Sequence, residues 1–108
     1  MAVTVTPTPA SGDITAKVTV VKFDLTGLDL NDSTDYSATA YPTWTEFRYY
    51  IAFVLDSVEL GRSPEFGPNF EGEWQFNNYI FPEAGAWSVI VYNAATDVAV
   101  KTQAVTVS

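Results

Sequence analysis

The sequence predicts an all-β chain, folded as an antiparallel sandwich of about seven strands. Three observations carry this. Apolar residues recur with period two in several runs, the pattern of strands with one face against a core. Pro, Gly, Asn and Asp interrupt these runs every eight to twelve residues or so, where turns belong. No helical period persists beyond two turns. At 108 residues the chain is one domain, spanning 1–108. It is 47% hydrophobic and 15% aromatic, enough to fill a core and to exclude disorder.

In chain order, Val3-Thr4-Val5-Thr6 alternates and then meets Pro7 and Pro9. Proline has no ladder donor, so this is expected to be an edge strand that stops early. Ser11-Gly12-Asp13 follows as a turn. Ile14, Ala16, Val18 and Val20 alternate in one phase, and Val21, Phe23 and Leu25 in the other. A slip of one residue turns every later side chain to the opposite face, so one long strand with a bulge or bend near Val20 is expected. Thr26-Gly27-Leu28 ends it, and residues 29–35 form a polar loop. Tyr36 to Tyr41 reads as a short strand stopped by Pro42. Phe47, Tyr49, Ile51, Phe53 and Leu55 alternate next, opposite the fairly apolar Tyr50, Ala52 and Val54. Such a strand is central in its sheet or uses one face for contact. Leu60 to Pro68, with Gly61, Pro64, Gly67 and Pro68, reads as a loop suited to contact a partner. Asn69 to Phe81 reads as one broken or bulged strand.

The chain closes on its clearest element. Trp87, Val89 and Val91 alternate with Ala86, Ser88, Ile90 and Tyr92; Asn93 to Asp97 makes the turn; Val98, Val100, Val105 and Val107 follow. Two such runs joined by a short polar segment make an antiparallel hairpin. The Trp87 indole is its expected core anchor, and Gly85 is expected at positive φ in the preceding turn. The run Phe81-Pro82-x-x-Gly85-x-Trp87-x-Val89-x-Val91-Tyr92-Asn93 resembles the last strands of immunoglobulin-like sandwiches. It is also similar to small immunoglobulin-like proteins of tailed-bacteriophage virions. The resemblance covers about the last quarter of the chain and implies an immunoglobulin-like β-sandwich. The fold hosts many roles, and with no cysteine the antibody-type disulfide is excluded.

Charge and composition narrow the function. Thirteen acids against five bases give a formal net charge of −8. Such a surface repels phosphate backbones and anionic membranes, so neither nucleic acid nor membrane is an expected partner. No apolar run approaches about 18 residues, and MAVTVTPTPASG carries no secretory leader. The chain contains neither histidine nor cysteine. Ser-His and Cys-His nucleophiles and cysteine-ligated zinc are therefore out of reach. Glu71 and Glu73, two apart on one strand, would face the same way about 7 Å apart, as a glycosidase pair can; a solubilising pair is the commoner case. No enzyme, cofactor or metal site is expected. Asp29, Asn31, Asp32 and Asp35 are oxygen ligands of the kind calcium takes. Thr34 and Ala40 nevertheless stand where an EF-hand loop needs Gly and Glu, and Asp and Asn also cap loops locally. Tyr41, Trp44, Tyr49 and Tyr50 crowd around Pro42. They suit a core, an interface, or stacking against sugar rings.

These exclusions leave a binding or scaffold role, which the resemblance sharpens. It implies a non-enzymatic virion structural protein, a bacteriophage capsid decoration (cement) protein assembled in the host cytoplasm and carried on the capsid surface. Its partners would be the major capsid protein and copies of itself, through interfaces of roughly 800 Å² a side. Expected contact residues are Val3, Val5, Pro7 and Pro9 in an N-terminal arm and Arg62, Pro64, Phe66 and Phe70 in the following loop region. The alternative is a tail or cell-surface adhesion module that binds host glycan through the aromatics near Trp44.

Overall fold

The computed structural model describes residues 3–28, 48–68, 71–94 and 96–108. Those residues form seven strands in two antiparallel sheets with no helix, a β-sandwich. The strands are β1 (Thr4–Thr8), β2 (Val21–Thr26), β3 (Tyr49–Leu55), β4 (Val58–Arg62), β5 (Trp74–Tyr79), β6 (Gly85–Asn93) and β7 (Val98–Val107). One sheet runs β1-β2-β5 and the other β4-β3-β6-β7. The inward positions of both sheets interdigitate. Val21, Phe23 and Leu25 of β2 meet Ile51, Phe53, Val89 and Val91 of the facing layer, all buried.

The terminal hairpin is present with its expected strands, and Trp87 is 1% exposed. Its ring meets Phe81 edge-on at 5.0 Å. The indole N–H donates to the Glu83 carbonyl at 2.9 Å, so this large residue is buried without an orphaned polar atom. Asn93 shapes the turn: its carbonyl accepts from the Asp97 N–H and its side chain from the Thr96 N–H. β3 lies between β4 and β6, and six of its seven residues are buried, as a central strand requires.

Four expectations need correction. β1 runs through Pro7 to Thr8, because an edge strand tolerates a missing donor. Ile14 to Leu25 is not one bulged strand. Ile14 bridges Val107 of β7 in parallel, Thr15 to Thr19 form a tight turn, and Val21 begins β2 in the other sheet. The phase slip at Val20-Val21 marks a change of layer, which inverts the inward face just as a bulge would. Leu60 to Pro68 is not all loop. β4 occupies its first part, joined to β3 by a two-residue turn in which Asp56 and Ser57 both have positive φ. That is the turn geometry whose twist suits a hairpin. Glu71 and Glu73 precede β5 rather than sharing a strand, and Gly72 between them sits at φ +75°. β5 carries the expected irregularity: Val21 faces Tyr79 but Phe23 faces Phe76, leaving an extra residue on β5 near Asn78. The polar loop 29–35 and the strand expected over Tyr36 to Tyr41 lie outside the described residues.

Candidate interaction surface

The outward face of the four-stranded sheet is almost free of charge. β3 supplies Val54, with Tyr50 and Ala52 on the same side but buried, and β6 supplies the exposed Ala86 and the half-buried Ser88, Ile90 and Tyr92. Thr102, Ala104 and Thr106 of β7 stand opposite Ile90, Ser88 and Ala86. Leu60, at the bulge of β4, and Val100 of β7 are exposed towards the two edges. The alternation that sends Val89 and Val91 into the core sends these residues outward, and none carries a charge. Nine acids lie among the described residues. Of these, Glu59 and Asp97 reach this face: Arg62 neutralises Glu59 with hydrogen bonds of 3.0 and 3.1 Å to its two carboxylate oxygens, and Asp97 accepts from the Tyr50 hydroxyl.

One end of the face is rigidly built. The Tyr50 ring stacks on Tyr92 with centroids 5.1 Å apart, and the Arg62 guanidinium sits 4.3 Å from the Tyr50 centroid. The Tyr50 hydroxyl donates to Asp97 Oδ1 at 2.9 Å. Burial, and then this bond to a carboxylate, raise the Tyr50 pKa above its ordinary value. The hydroxyl therefore stays protonated and keeps donating. Stacking, cation–π contact and hydrogen bond together hold Tyr50, Arg62 and Asp97 in one arrangement.

The expected contact residues fall in different places. Val3 and Val5 belong to the inner side of the β1 edge, so the arm is a strand of the sheet rather than a free tether. Val5 is 5% exposed. Pro7 and Pro9 are half-buried along and beyond β1. Arg62 and Pro64 are exposed, whereas Phe66 is 5% exposed and stacked face to face on Trp74 at 3.7 Å. Burial therefore removes Val5 and Phe66 from any contact surface. The chain holds Phe66 by reciprocal backbone bonds with Tyr49, closing the open side of the sandwich. Phe70 lies outside the described residues. Antiparallel pairing brings Val3, at the start of β1, to the same end of the molecule as Phe66 and Trp74, while Pro9 lies towards the opposite end.

A cleft of about 600 Å³ opens at that end, bounded by Asp24, Thr26, Gly67, Pro68, Glu73, Trp74 and Gln75. It offers two carboxylates, an amide and a hydroxyl. Its indole is taken up between Phe66 and Phe76 rather than presented as a platform. Among the described residues no group of three or more Asp and Glu is gathered to hold a metal ion. The candidate calcium residues Asp29, Asn31, Asp32 and Asp35 lie outside those residues, as do Tyr41 and Trp44. Of the aromatic group, Tyr49 and Tyr50 are buried and bonded inside the fold, not displayed for a sugar ring. Compared with protein-family models, with curated proteins and with solved structures, the chain matches none.

The sheet face was only half legible in the sequence. Near-apolar character on both sides of Tyr49 to Leu55 signals a central strand. The matching signal on the hairpin was available: every outward residue from Ala86 to Tyr92 is uncharged, in a chain of net charge −8.

Proposed function

We propose that the chain is a non-enzymatic virion structural protein that docks on the outer surface of a bacteriophage head and cements it. The observation that carries the reading is the uncharged sheet face on an otherwise acidic body. A surface depleted of charge, with aromatics and a lone arginine near its rim, has the composition of a protein–protein contact. The acidic remainder keeps free copies apart and lets only the apolar face be covered. The similarity of residues 81–93 to immunoglobulin-like virion proteins gives the kind of partner, the major capsid protein. Many copies on one shell multiply a modest contact into stable attachment.

Co-sedimentation with intact heads of the phage whose genome encodes the chain tests this. Wild type is expected to pellet with heads and not with dissociated coat subunits. Ile90→Asp, which places a carboxylate at the centre of the face, is expected to stay in the supernatant while its circular dichroism and melting remain those of wild type. Retained binding by Ile90→Asp would remove this face as the docking surface. No binding by wild type would remove the function.

A further inference from the structure

The uncharged face holds one guanidinium of its own. Arg62 of β4 sits 4.3 Å from the centroid of the Tyr50 ring, and its Nε and Nη2 donate to the two Glu59 carboxylate oxygens at 3.0 and 3.1 Å. A ring against the plane and a carboxylate at the edge suit this group, which is flat, forked and weakly hydrated.

The same two parts recur on the other side of Tyr50. Tyr92 stacks on it at an interplanar angle of 19°, with centroids 5.1 Å apart. Neighbouring strands stand about 4.7–4.9 Å apart, so the stack runs across the sheet, from Arg62 of β4 through Tyr50 of β3 to Tyr92 of β6. The Tyr92 face turned away from Tyr50 therefore points towards β7. There Tyr92 is opposite Ala99, and Val100 is the extra residue of a bulge. An alanine is too short to cover a tyrosine ring, and Tyr92 is half-buried rather than enclosed. Asp97 brings the carboxylate. Its N–H donates to the Asn93 carbonyl at 2.8 Å, and its Oδ1 accepts from the Tyr50 hydroxyl at 2.9 Å. The two rings are nearly parallel, so a carboxylate at the Tyr50 hydroxyl also stands beside the rim of Tyr92. Among the described residues, Asp97 Oδ2 meets no hydrogen-bond donor.

We propose that Tyr92 and Asp97 form a receptor for an arginine side chain of the docked protein, its guanidinium laid on the Tyr92 face with one edge towards Asp97. The partner's identity rests on the docking reading, which this deepens by naming the side chain that the face recognises. Charge selects the occupant. Glu59 and Asp97 together outweigh Arg62, so this end of the face is negative on a chain of net charge −8, and it attracts a cation and repels an anion. Shape selects arginine over lysine, because a planar group continues the stack and offers a fork to a carboxylate. Val98 and Val100, exposed on either side of Ala99, suit the apolar stem of such a side chain. The two backbone and side-chain bonds of Asp97 place its carboxylate in advance, so little freedom is lost on binding.

Nuclear magnetic resonance titration of the purified chain with the peptide acetyl-Gly-Arg-Gly-amide tests the receptor. The amide signals of Tyr92, Asp97 and Val98 are expected to shift and to saturate at millimolar peptide. Those of Asp13 and Glu83, carboxylates towards the opposite end of the molecule, are expected to stay in place. A citrulline version, alike in shape but uncharged, is expected to bind about tenfold more weakly, and a lysine version about threefold more weakly. Asp97→Asn keeps an amide oxygen for the Tyr50 hydroxyl and therefore keeps the stack, yet it is expected to weaken the arginine peptide about threefold. Tyr92→Leu removes the ring face and is expected to lose the saturable shifts. Equal binding of the arginine peptide and either of the other two would overturn the proposal. So would an Asp97→Asn protein that binds as wild type, or shifts spread evenly over the exposed carboxylates. Because no heads are present, a failure here leaves head binding untouched, and a failure of head binding leaves the receptor standing.

Discussion

Trp87 sits where both layers and the Phe81 corner converge, and its polar atom is satisfied by Glu83. Trp87→Ala leaves a void that rigid neighbours fill poorly. We expect a loss of about 3–5 kcal/mol in chemical denaturation, against less than about 1 kcal/mol for a surface ring. Gly85, two residues earlier, opens β6 at φ +145°, and a Cβ there would stand 2.8 Å from Leu55 Cδ1. Gly85→Val is expected to cost about 1–3 kcal/mol in backbone strain, with crowding of Leu55 added to it, read as a lowered denaturation midpoint. Both positions were legible in the sequence, because a lone large indole and a glycine before an alternating run leave few alternatives. Ser63 was not. Its hydroxyl accepts from the Ile51 N–H at 2.8 Å and donates to the Pro64 carbonyl, filling the gap where β4 turns away from β3. A serine between Arg62 and Pro64 gives no hint of a task set by a strand twelve residues earlier.

Among the elements, those with long uninterrupted alternation were readable and those defined by pairing were not. β6 shows its period from end to end, whereas β7 changes phase at the extra residue Val100, so that Val98 and Val100 are exposed and Val105 and Val107 buried. β4 is short, mostly exposed and rich in turn formers, so only its ladder to β3 makes it a strand. The clue was Asp56-Ser57 between Leu55 and Val58, a two-residue connection held with both residues in the left-handed region. Serine is strained there. Ser57→Gly is expected to stabilise the protein by about 0.5–1 kcal/mol, measured as a raised melting midpoint; a fall would contradict this turn geometry. The stretch from Ile14 to Leu25 misled for a related reason. A change of sheet and a bulge both shift the phase by one residue, and only the bridge of Ile14 to Val107 separates them.

For the molecule as a whole, alkaline stability follows from Tyr79. Its ring stacks on Phe53 at 3.8 Å, and burial pushes its hydroxyl up to about 12, against 10.0 when exposed. The folded form therefore holds its proton where the unfolded chain has released it. That contribution is intact below pH 10.0 and is lost as pH climbs through about 12. Tyr50, also raised, acts in the same sense. The denaturation midpoint is expected to fall across this window, and less steeply in Tyr79→Phe; parallel curves for the two proteins would count against a protected hydroxyl. The crossover from β1 to β2 has a mechanical consequence. Residues 12–16 run parallel to the end of β7, so tension applied at opposite ends of the chain drags these two segments past one another lengthwise. The bonds from Gly12, Ile14 and Ala16 to Thr106 and Ser108 then carry the load together instead of opening one after another. Single-molecule stretching should meet its main resistance at this clasp, and removing Ser108 should lower the rupture force.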